Sequence, residues 1–316
     1  MALVIQPIGD AFAGEVTGVD CRKPLSPKEA AAIEAGMDQY AVLVYRGQSL
    51  TDQEQLAFTL HFGDIEKKGR GSGTGHIHFR SDDQARPLAR GIGDFSNVDG
   101  RGQPLPPDSR AYQFKLADRL WHSDSSFREI PAKYSLLSGR AVPSWGGNTE
   151  FADMRGAYDA LDGRTRNEVE DLVCLHSQIY SREAVGFSEM SGKEREAFKP
   201  VRQRLVRRHP VTGRKSLFLS SHAGVIEGWS IPESRMYLRD LIEFATQPRF
   251  VYSHAWCLHD LVVWDNRCVL HRARTYDTSL PRVLRHTRVA GDPATELAPT
   301  APDDRASGFA PTASNQ

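Results

Sequence analysis

The sequence is short of several things. In its 316 residues no apolar run approaches the roughly 20 positions needed to cross a bilayer. The opening MALVIQPIGDAFAGEV has no basic stretch and meets an acid early, which argues against a secretory leader. Only four cysteines occur, Cys21, Cys174, Cys257 and Cys268, widely spaced and with no CxxC pair. Neither a disulfide framework nor a thiolate zinc site is therefore expected, and reduced thiols point to the cytoplasm. Neither sign of charge is in excess: 40 basic residues face 40 acidic ones. That balance leaves no broad basic field for nucleic acid or for a membrane surface, and favours a small-molecule ligand.

What is present is an ordinary globular composition, 40% hydrophobic, arranged as short strands with helices between them. Ser26-Pro27-Lys28-Glu29 is a helix start with a capping hydroxyl, a first-turn proline and a reciprocating glutamate, and the helix is expected to reach about residue 38. Thr51 and Glu54 repeat the capping box before QLAFTLHF. AVLVYR (41–46), KYSLLSGRAV, FVYSHAW, DLVVWDN, CVLHRA and VLRHTRVAG read as strands. RLVRRHPVTGRKSLFLS reads as a hairpin turning at Thr212–Gly213–Arg214, while MRGAYDAL, RNEVEDLVCLH and PESRMYLRDLIEFATQ (232–247) read as helices. Residues 63–110 are crowded with glycine, charge and proline, as in a mobile cover over an active site, with DFSNV (94–98) as an ordered island. After Asp292 the text becomes a loose tail, so one domain is expected over 1–292, with 293–316 outside it. Many short strands with inserted helices imply a mainly β fold with α, of the sandwich or jelly-roll kind, and not alternating βα units.

The stretch LWHSDSSF (120–127) sets a chemical question, because His122 and Asp124 stand among residues that belong in a core. On an extended strand, side chains two apart face the same way, so imidazole and carboxylate would meet at one point. Together they make two-thirds of a 2-His-1-carboxylate facial triad, the usual holder of non-haem iron. His271, among the strand-like residues of WDNRCVLHRA, is the best third member. Taken alone, the pair reads equally as a hydrogen-bonded His–Asp at a strand end. A rival pair, His76 and His78, lies in the glycine-rich loop, whereas metal ligands need rigid elements. His61, His176, His222, His254 and His259 read as core or surface histidines. Arg282, a few residues beyond His271, has the planar fork that grips carboxylates, and Thr149 could add a hydroxyl to the same anion.

The wording WHSDSSF, PSWGGNTEFADMRGAYDAL, HPVTGRKSLF, VVWDNRCVLHRARTYD and PRVLRHTRVAGD, with its spacings, resembles the taurine/2,4-dichlorophenoxyacetate family of Fe(II)- and 2-oxoglutarate-dependent dioxygenases. The resemblance spans nearly the whole chain to about residue 292. It implies a double-stranded β-helix (jelly roll) core with flanking and inserted helices. It also implies His122, Asp124 and His271 as iron ligands, and Arg282 with Thr149 as the grip on 2-oxoglutarate. Fe(II), 2-oxoglutarate and O2 follow as metal and co-substrates, with ascorbate as an assisting reductant. Trp264-Asp265-Asn266-Arg267 is a family hallmark, expected to lead structurally into the strand of His271.

The likeness is greatest to the phenoxyalkanoate-herbicide branch. Its members hydroxylate the carbon beside an aryl ether oxygen, and the product collapses to a phenol and an oxo-acid such as glyoxylate, with succinate and CO2 formed alongside. One position departs from the family pattern. A second arginine often stands four residues after the first, but here His286 does. The expected holders of the substrate acid group are therefore His286 or Arg288, which share the face of Arg282 by strand alternation, with help from Lys67, Lys68 or Arg70. His209 is expected to border the pocket. A homo-oligomer is the family habit. Two alternatives stand beside this reading: a taurine or alkylsulfonate dioxygenase of the same family, and a non-catalytic jelly-roll metal-binding protein.

Overall fold

The computed structural model describes residues 2–9, 12–66 and 88–296. Strands β1 (Val4–Pro7) and β2 (Ala13–Thr17) lead into helix α1 (Pro27–Tyr40), strand β3 (Val42–Tyr45) and helix α2 (Asp52–Leu60). Strand β4 (Gly93–Ser96) and helix α3 (Arg110–Lys115) precede strands β5 (Tyr134–Ala141) and β6 (Thr149–Asp153). An inserted region follows: α4 (Met154–Asp159), α5 (Gly163–Val169), β7 (Val173–His176), α6 (Gln178–Ala184), α7 (Gly192–Ala197), β8 (Val201–Arg204), β9 (Val206–Arg208), β10 (Lys215–Leu217), β11 (Ala223–Ile226) and α8 (Ile231–Ala245). The chain then returns through β12 (Val251–His254), β13 (Leu261–Asp265), β14 (Val269–Ala273) and β15 (Val283–Arg288) to a last turn, α9 (Pro293–Glu296).

Both helix starts read from the sequence are built as expected. Ser26 Oγ accepts from Glu29 N while the Glu29 carboxylate accepts from Ser26 N, and Thr51 with Glu54 do the same. The first helix runs on to Tyr40, where Ala41 takes a left-handed φ of 61° and stops it.

The main sheet has the strand order β1-β2-β3-β13-β5-β15-β4, and a smaller sheet, β12-β6-β14, faces it. Period-two alternation sorts the side chains of the central strands. Leu43, Tyr45, Leu136, Leu261 and Val263 pack outward beneath α1 and α2, against Ile33, Met37 and Phe58. Val42, Val44, Leu137, Val262 and Trp264 point the other way, toward Phe151, Tyr252 and Val269 of the smaller sheet. With β13 covered on both faces, all five of its residues are buried, which is why DLVVWDN reads as a nearly unbroken apolar run. A third apolar cluster joins α4 and α8 to the inserted strands.

Two expectations are corrected and one is sharpened. RNEVEDLVCLH does not stay helical: α5 ends at Val169, and Val173–His176 pairs antiparallel with both β8 and β11. Two-sided pairing of a short apolar run outweighs its helical pattern. Within 63–110 the island expected at 94–98 overlaps strand Gly93–Ser96, which pairs with β15 in the main sheet, and at the segment's end helix Arg110–Lys115 begins. Beyond Asp292 the ordered chain continues through α9, because Glu296 is buried 3.5 Å from the Arg207 guanidinium. Among the described residues no helix is long and apolar enough to cross a membrane.

The corner between β13 and β14 carries a fully buried ion pair. Arg267 grips Asp265 through Nε–Oδ1 at 2.8 Å and Nη2–Oδ2 at 2.6 Å. Burial opposes ionisation of the Asp265 carboxyl, but the Arg267 and His209 contacts hold it well below the usual range. Asp265→Ala would strand a buried guanidinium, and urea denaturation should show a loss of roughly 3–5 kcal/mol.

Candidate metal and anion site

Between the two sheets lies a cavity of about 40 Å3, open to solvent. The main sheet contributes Phe95, Leu137, Trp264, Leu284 and His286 to its wall, and the smaller sheet contributes Thr149, His271 and Ala273. His122 and Asp124 complete one end, and Arg282 lines it too.

His122 and Asp124 are not on a regular strand, contrary to the expectation. His122 forms a single antiparallel bridge with His271, its N–H donating to the His271 carbonyl at 3.0 Å and its carbonyl accepting from the His271 N–H at 2.8 Å. The chain then enters a turn in which Ser125 takes φ 58°. The outcome is nonetheless convergent: one ligand atom from each of His122, Asp124 and His271 lies within 4.8 Å of the others, and all three residues are buried. Asp124 Oδ1 stands 4.0 Å from His122 Nε2 and 3.9 Å from His271 Nε2. Ligation at about 2.1 Å with right angles needs about 3 Å between donors, a closure within reach of small side-chain rotations.

The donor set fits a divalent cation on three counts. His122 Nδ1 lies 2.8 Å from the Leu120 carbonyl oxygen, and donation there leaves Nε2 as a lone pair aimed at the cluster. Burial holds the His271 imidazole well below its ordinary pKa, so it is a neutral donor, and the neighbouring His122 acts in the same direction. For Asp124, burial favours the neutral carboxyl, but its contacts with the His271 and His286 rings and with the nearby Arg288 guanidinium outweigh it and hold the pKa well below the usual carboxylate range. One carboxylate oxygen and two imidazole nitrogens make an O,N,N face suited to a first-row divalent metal.

Asp124 is held by residues that sequence reasoning missed. Ser135 Oγ donates to Asp124 Oδ2 at 2.7 Å and itself accepts from Asn266 Nδ2 at 2.9 Å. Asn266 Oδ1 accepts from Trp264 Nε1 at 2.9 Å and from the Asp124 backbone N–H at 3.3 Å. The WDNR hallmark thus divides its work. Asp265 and Arg267 brace the corner, Asn266 aims the carboxylate, and Trp264 forms the cavity wall, 4.6 Å from the His271 ring. Ser135 has one signal in the sequence, a polar residue between Tyr134 and Leu136 near the start of an apolar strand.

Arg282 precedes β15 by one residue, is buried, and has no carboxylate partner among the described residues. Its Nη2 donates to the Gly147 carbonyl at 2.9 Å, while Nε has no partner. Burial lowers its pKa to about 10, leaving it cationic at neutral pH. Gly147 adopts φ 68°, and a Cβ there would sit 3.0 Å from Arg282 Nε, so the Gly146–Gly147 turn makes room for the guanidinium. An unneutralised buried cation at a cavity wall is a site for an anion.

The expected substrate contacts fare differently. His286 lines the cavity, stacked on Trp264 at 5.7 Å with 8° between the rings. Its Nε2 lies 3.2 Å from Asp124 Oδ2, off hydrogen-bonding alignment, and burial lowers its pKa, so it is no cationic anchor. Arg288 does share the inward face, because the irregularity between β5 and β15 adds its extra residue, Arg140, to β5. But Arg288 Nε is taken by Glu66 at 2.8 Å, with Nη1 3.9 Å from Asp124, and the residue does not line the cavity. Lys67, Lys68 and Arg70 lie outside the described residues, as do His76 and His78. His209 is a correction: its Nε2 is 3.2 Å from Asp265 Oδ2, and its Nδ1 accepts from the Val211 and Thr212 N–H groups. It lines a separate cleft, whose charges are mutually paired as Lys215–Glu170, Arg204–Asp171 and Arg207–Glu296.

A family model described as taurine catabolism dioxygenase TauD, TfdA family matches residues 5–289. The chain belongs to this family. It is 43% identical over 292 residues to an alpha-ketoglutarate-dependent 2,4-dichlorophenoxyacetate dioxygenase of Cupriavidus pinatubonensis, covering 92% of this chain and 99% of that protein. To an (S)-phenoxypropionate/alpha-ketoglutarate-dioxygenase of Delftia acidovorans it is 37% identical over 304 residues, covering 93% and 97%. Among solved structures, AAD-2 in complex with Mn(II) and N-oxalylglycine superposes with a TM-score of 0.87 at 55% identity, over 92% of this chain and 99% of that one.

The network around Asp124 sets a test of the metal centre. Ser135→Ala should weaken Mn(II) binding, read by titration calorimetry, by about tenfold or more. The melting temperature should move little by comparison; unchanged Mn(II) affinity would count against Ser135 as the support of a ligand.

Proposed function

We propose that this chain is an Fe(II)- and 2-oxoglutarate-dependent dioxygenase that hydroxylates the carbon beside the ether oxygen of an aryloxyalkanoate such as 2,4-dichlorophenoxyacetate. The observation that carries the reading is a buried 2-His-1-carboxylate cluster sharing one cavity with a buried, unneutralised arginine. Family membership and the relatives' activities support it. The facing sheets support the finer description of the fold as a double-stranded β-helix. A working cytoplasmic homo-oligomer completes the proposal, and four free cysteines, three of them buried, fit a reducing compartment.

In this reading His122, Asp124 and His271 would hold the iron. When bound, that iron supplies the chemistry coupling oxidative decarboxylation of 2-oxoglutarate to hydroxylation of the substrate, giving succinate and CO2. The protein's part is placement. Arg282 pairs with the distal carboxylate of 2-oxoglutarate, and Thr149 adds a hydroxyl donor to the same group. Phe95, Leu137, Trp264 and Leu284 give an apolar wall that takes an aryl ring and keeps water from the reacting carbon. His286 contributes ring surface to that wall and lies against Asp124, so the substrate carboxylate takes another partner. Hydroxylation beside the ether oxygen yields a hemiacetal, which collapses to the phenol and an oxo-acid, glyoxylate in the case of an oxyacetate.

A panel of aryloxyacetates, aryloxypropionates and alkylsulfonates, assayed for substrate-stimulated succinate, tests the proposal. Aryl ethers should stimulate it and taurine should not; the reverse order would assign the sulfonate activity, and no succinate with any substrate would leave a binding protein. His271→Ala should abolish turnover with the fold intact by circular dichroism. Arg282→Ala should weaken 2-oxoglutarate by roughly a hundredfold, the loss of charge-assisted hydrogen bonds, and the aryl ether by far less. Equal weakening of both would overturn the role given to Arg282.

A further inference from the structure

Trp256 lies two residues past the end of β12 and folds back toward β6. The register of these strands sets His254 opposite Thr149, so the returning indole arrives at the threonine side chain. Trp256 Nε1 donates to Thr149 Oγ1 at 3.0 Å, with both residues buried. Thr149 lines the cavity and Trp256 stands behind it.

The indole is held from its far side. The His254 ring meets it edge-on, 4.7 Å between centroids at 87°. His254 in turn lies 3.2 Å from the Tyr252 hydroxyl through Nδ1 and 3.1 Å from Asp260 Oδ2 through Nε2. Asp260 is anchored by Arg46 at 2.5 Å and by the Cys257 N–H at 2.9 Å.

An indole N–H can only donate, so Thr149 Oγ1 must accept. A hydroxyl has one proton, and among the described residues nothing accepts that of Thr149. We propose that Trp256 is a positioning residue: by occupying the acceptor side of the Thr149 hydroxyl, it turns the hydroxyl proton toward the distal carboxylate of 2-oxoglutarate. This rests on the 2-oxoglutarate reading of the cavity. Without the indole, the hydroxyl would lose that orientation and its acceptor lone pairs would lie buried with no donor.

The test is a double-mutant cycle on the full chain, measuring N-oxalylglycine affinity in the presence of Mn(II) by calorimetry. Trp256→Phe and Trp256→Leu remove the N–H with different residual bulk, and Thr149→Val removes the hydroxyl. Each single change should weaken N-oxalylglycine about three- to tenfold, the scale of one neutral hydrogen bond. Combining them should add little further loss, and Mn(II) binding alone should not change. Failure of the native chain to bind N-oxalylglycine would overturn the 2-oxoglutarate reading itself, and Thr149→Val without effect on that binding would overturn the inference. A normal Thr149 effect with unchanged or fully additive Trp256 variants would overturn only the role of Trp256. Should neither Trp256 variant fold, the native chain labelled with 15N-tryptophan decides. One indole N–H signal should shift on N-oxalylglycine binding and lose that response in Thr149→Val; no such signal would overturn the inference.

Discussion

Two backbone hydrogen bonds, exchanged between His122 and His271, bring side chains almost half the chain apart to one point. Everything at the candidate site is referred to that bridge. It fixes the spacing of the imidazoles, and the turn that follows swings Asp124 beneath them. The bridge holds because each partner is fastened to a sheet. β14 pairs with β6 throughout its length, and Ser123 Oγ donates to the Asn266 carbonyl, tying the His122 segment to the β13–β14 corner. A ligand set drawn from distant segments is therefore as rigid as the sheets themselves.

The polar groups of the site line a cavity between the two sheets, beside the apolar cluster that packs them together. Burying a carboxylate there is costly unless it is hydrogen-bonded and faced by positive charge, and Asp124 has both. Arg282 is the opposite case, a buried cation with no counter-ion among the described residues. The contrast separates two functions within one cavity. One end is satisfied by the protein and is suited to hold a cation, while the other is left wanting an anion. Between them the wall is apolar, and that is the surface offered to a hydrocarbon ring.

Much of this was legible in the sequence, and what was not has a common cause. The capping boxes of α1 and α2, the apolar run of β13 and the turn at Thr212–Gly213 are local signals, and the structure follows them. His122, Asp124 and His271 were ambiguous as isolated residues and became a set only through resemblance to a family. The errors concern long-range partners. VCLH reads as helix in the local sequence because its strand neighbours, β8 and β11, come later in the chain. His209 looked like a pocket residue because its buried partner, Asp265, is 56 positions away. Asn266 is hidden in the same way, 142 positions from Asp124, whereas Ser135 stands only 11 away and is hidden because no periodicity encodes its contact with that carboxylate.

The separation of the ligand segments also orders events in time. The hydrogen bond from Asp124 to Asn266 closes a loop of 142 residues, an entropic cost of roughly 4 kcal/mol on the logarithmic scale for flexible loops. That cost is met only when β13 and β14 are present to pair with β5 and β6. A nascent chain that has released His122 and Asp124, but not yet residue 271, thus offers only two of the three donors, and those without the sheet that aims them. On the proposed ligand set, metal capture would wait for near-completion of synthesis, and a ribosome-bound fragment would have no finished centre at which to meet oxygen.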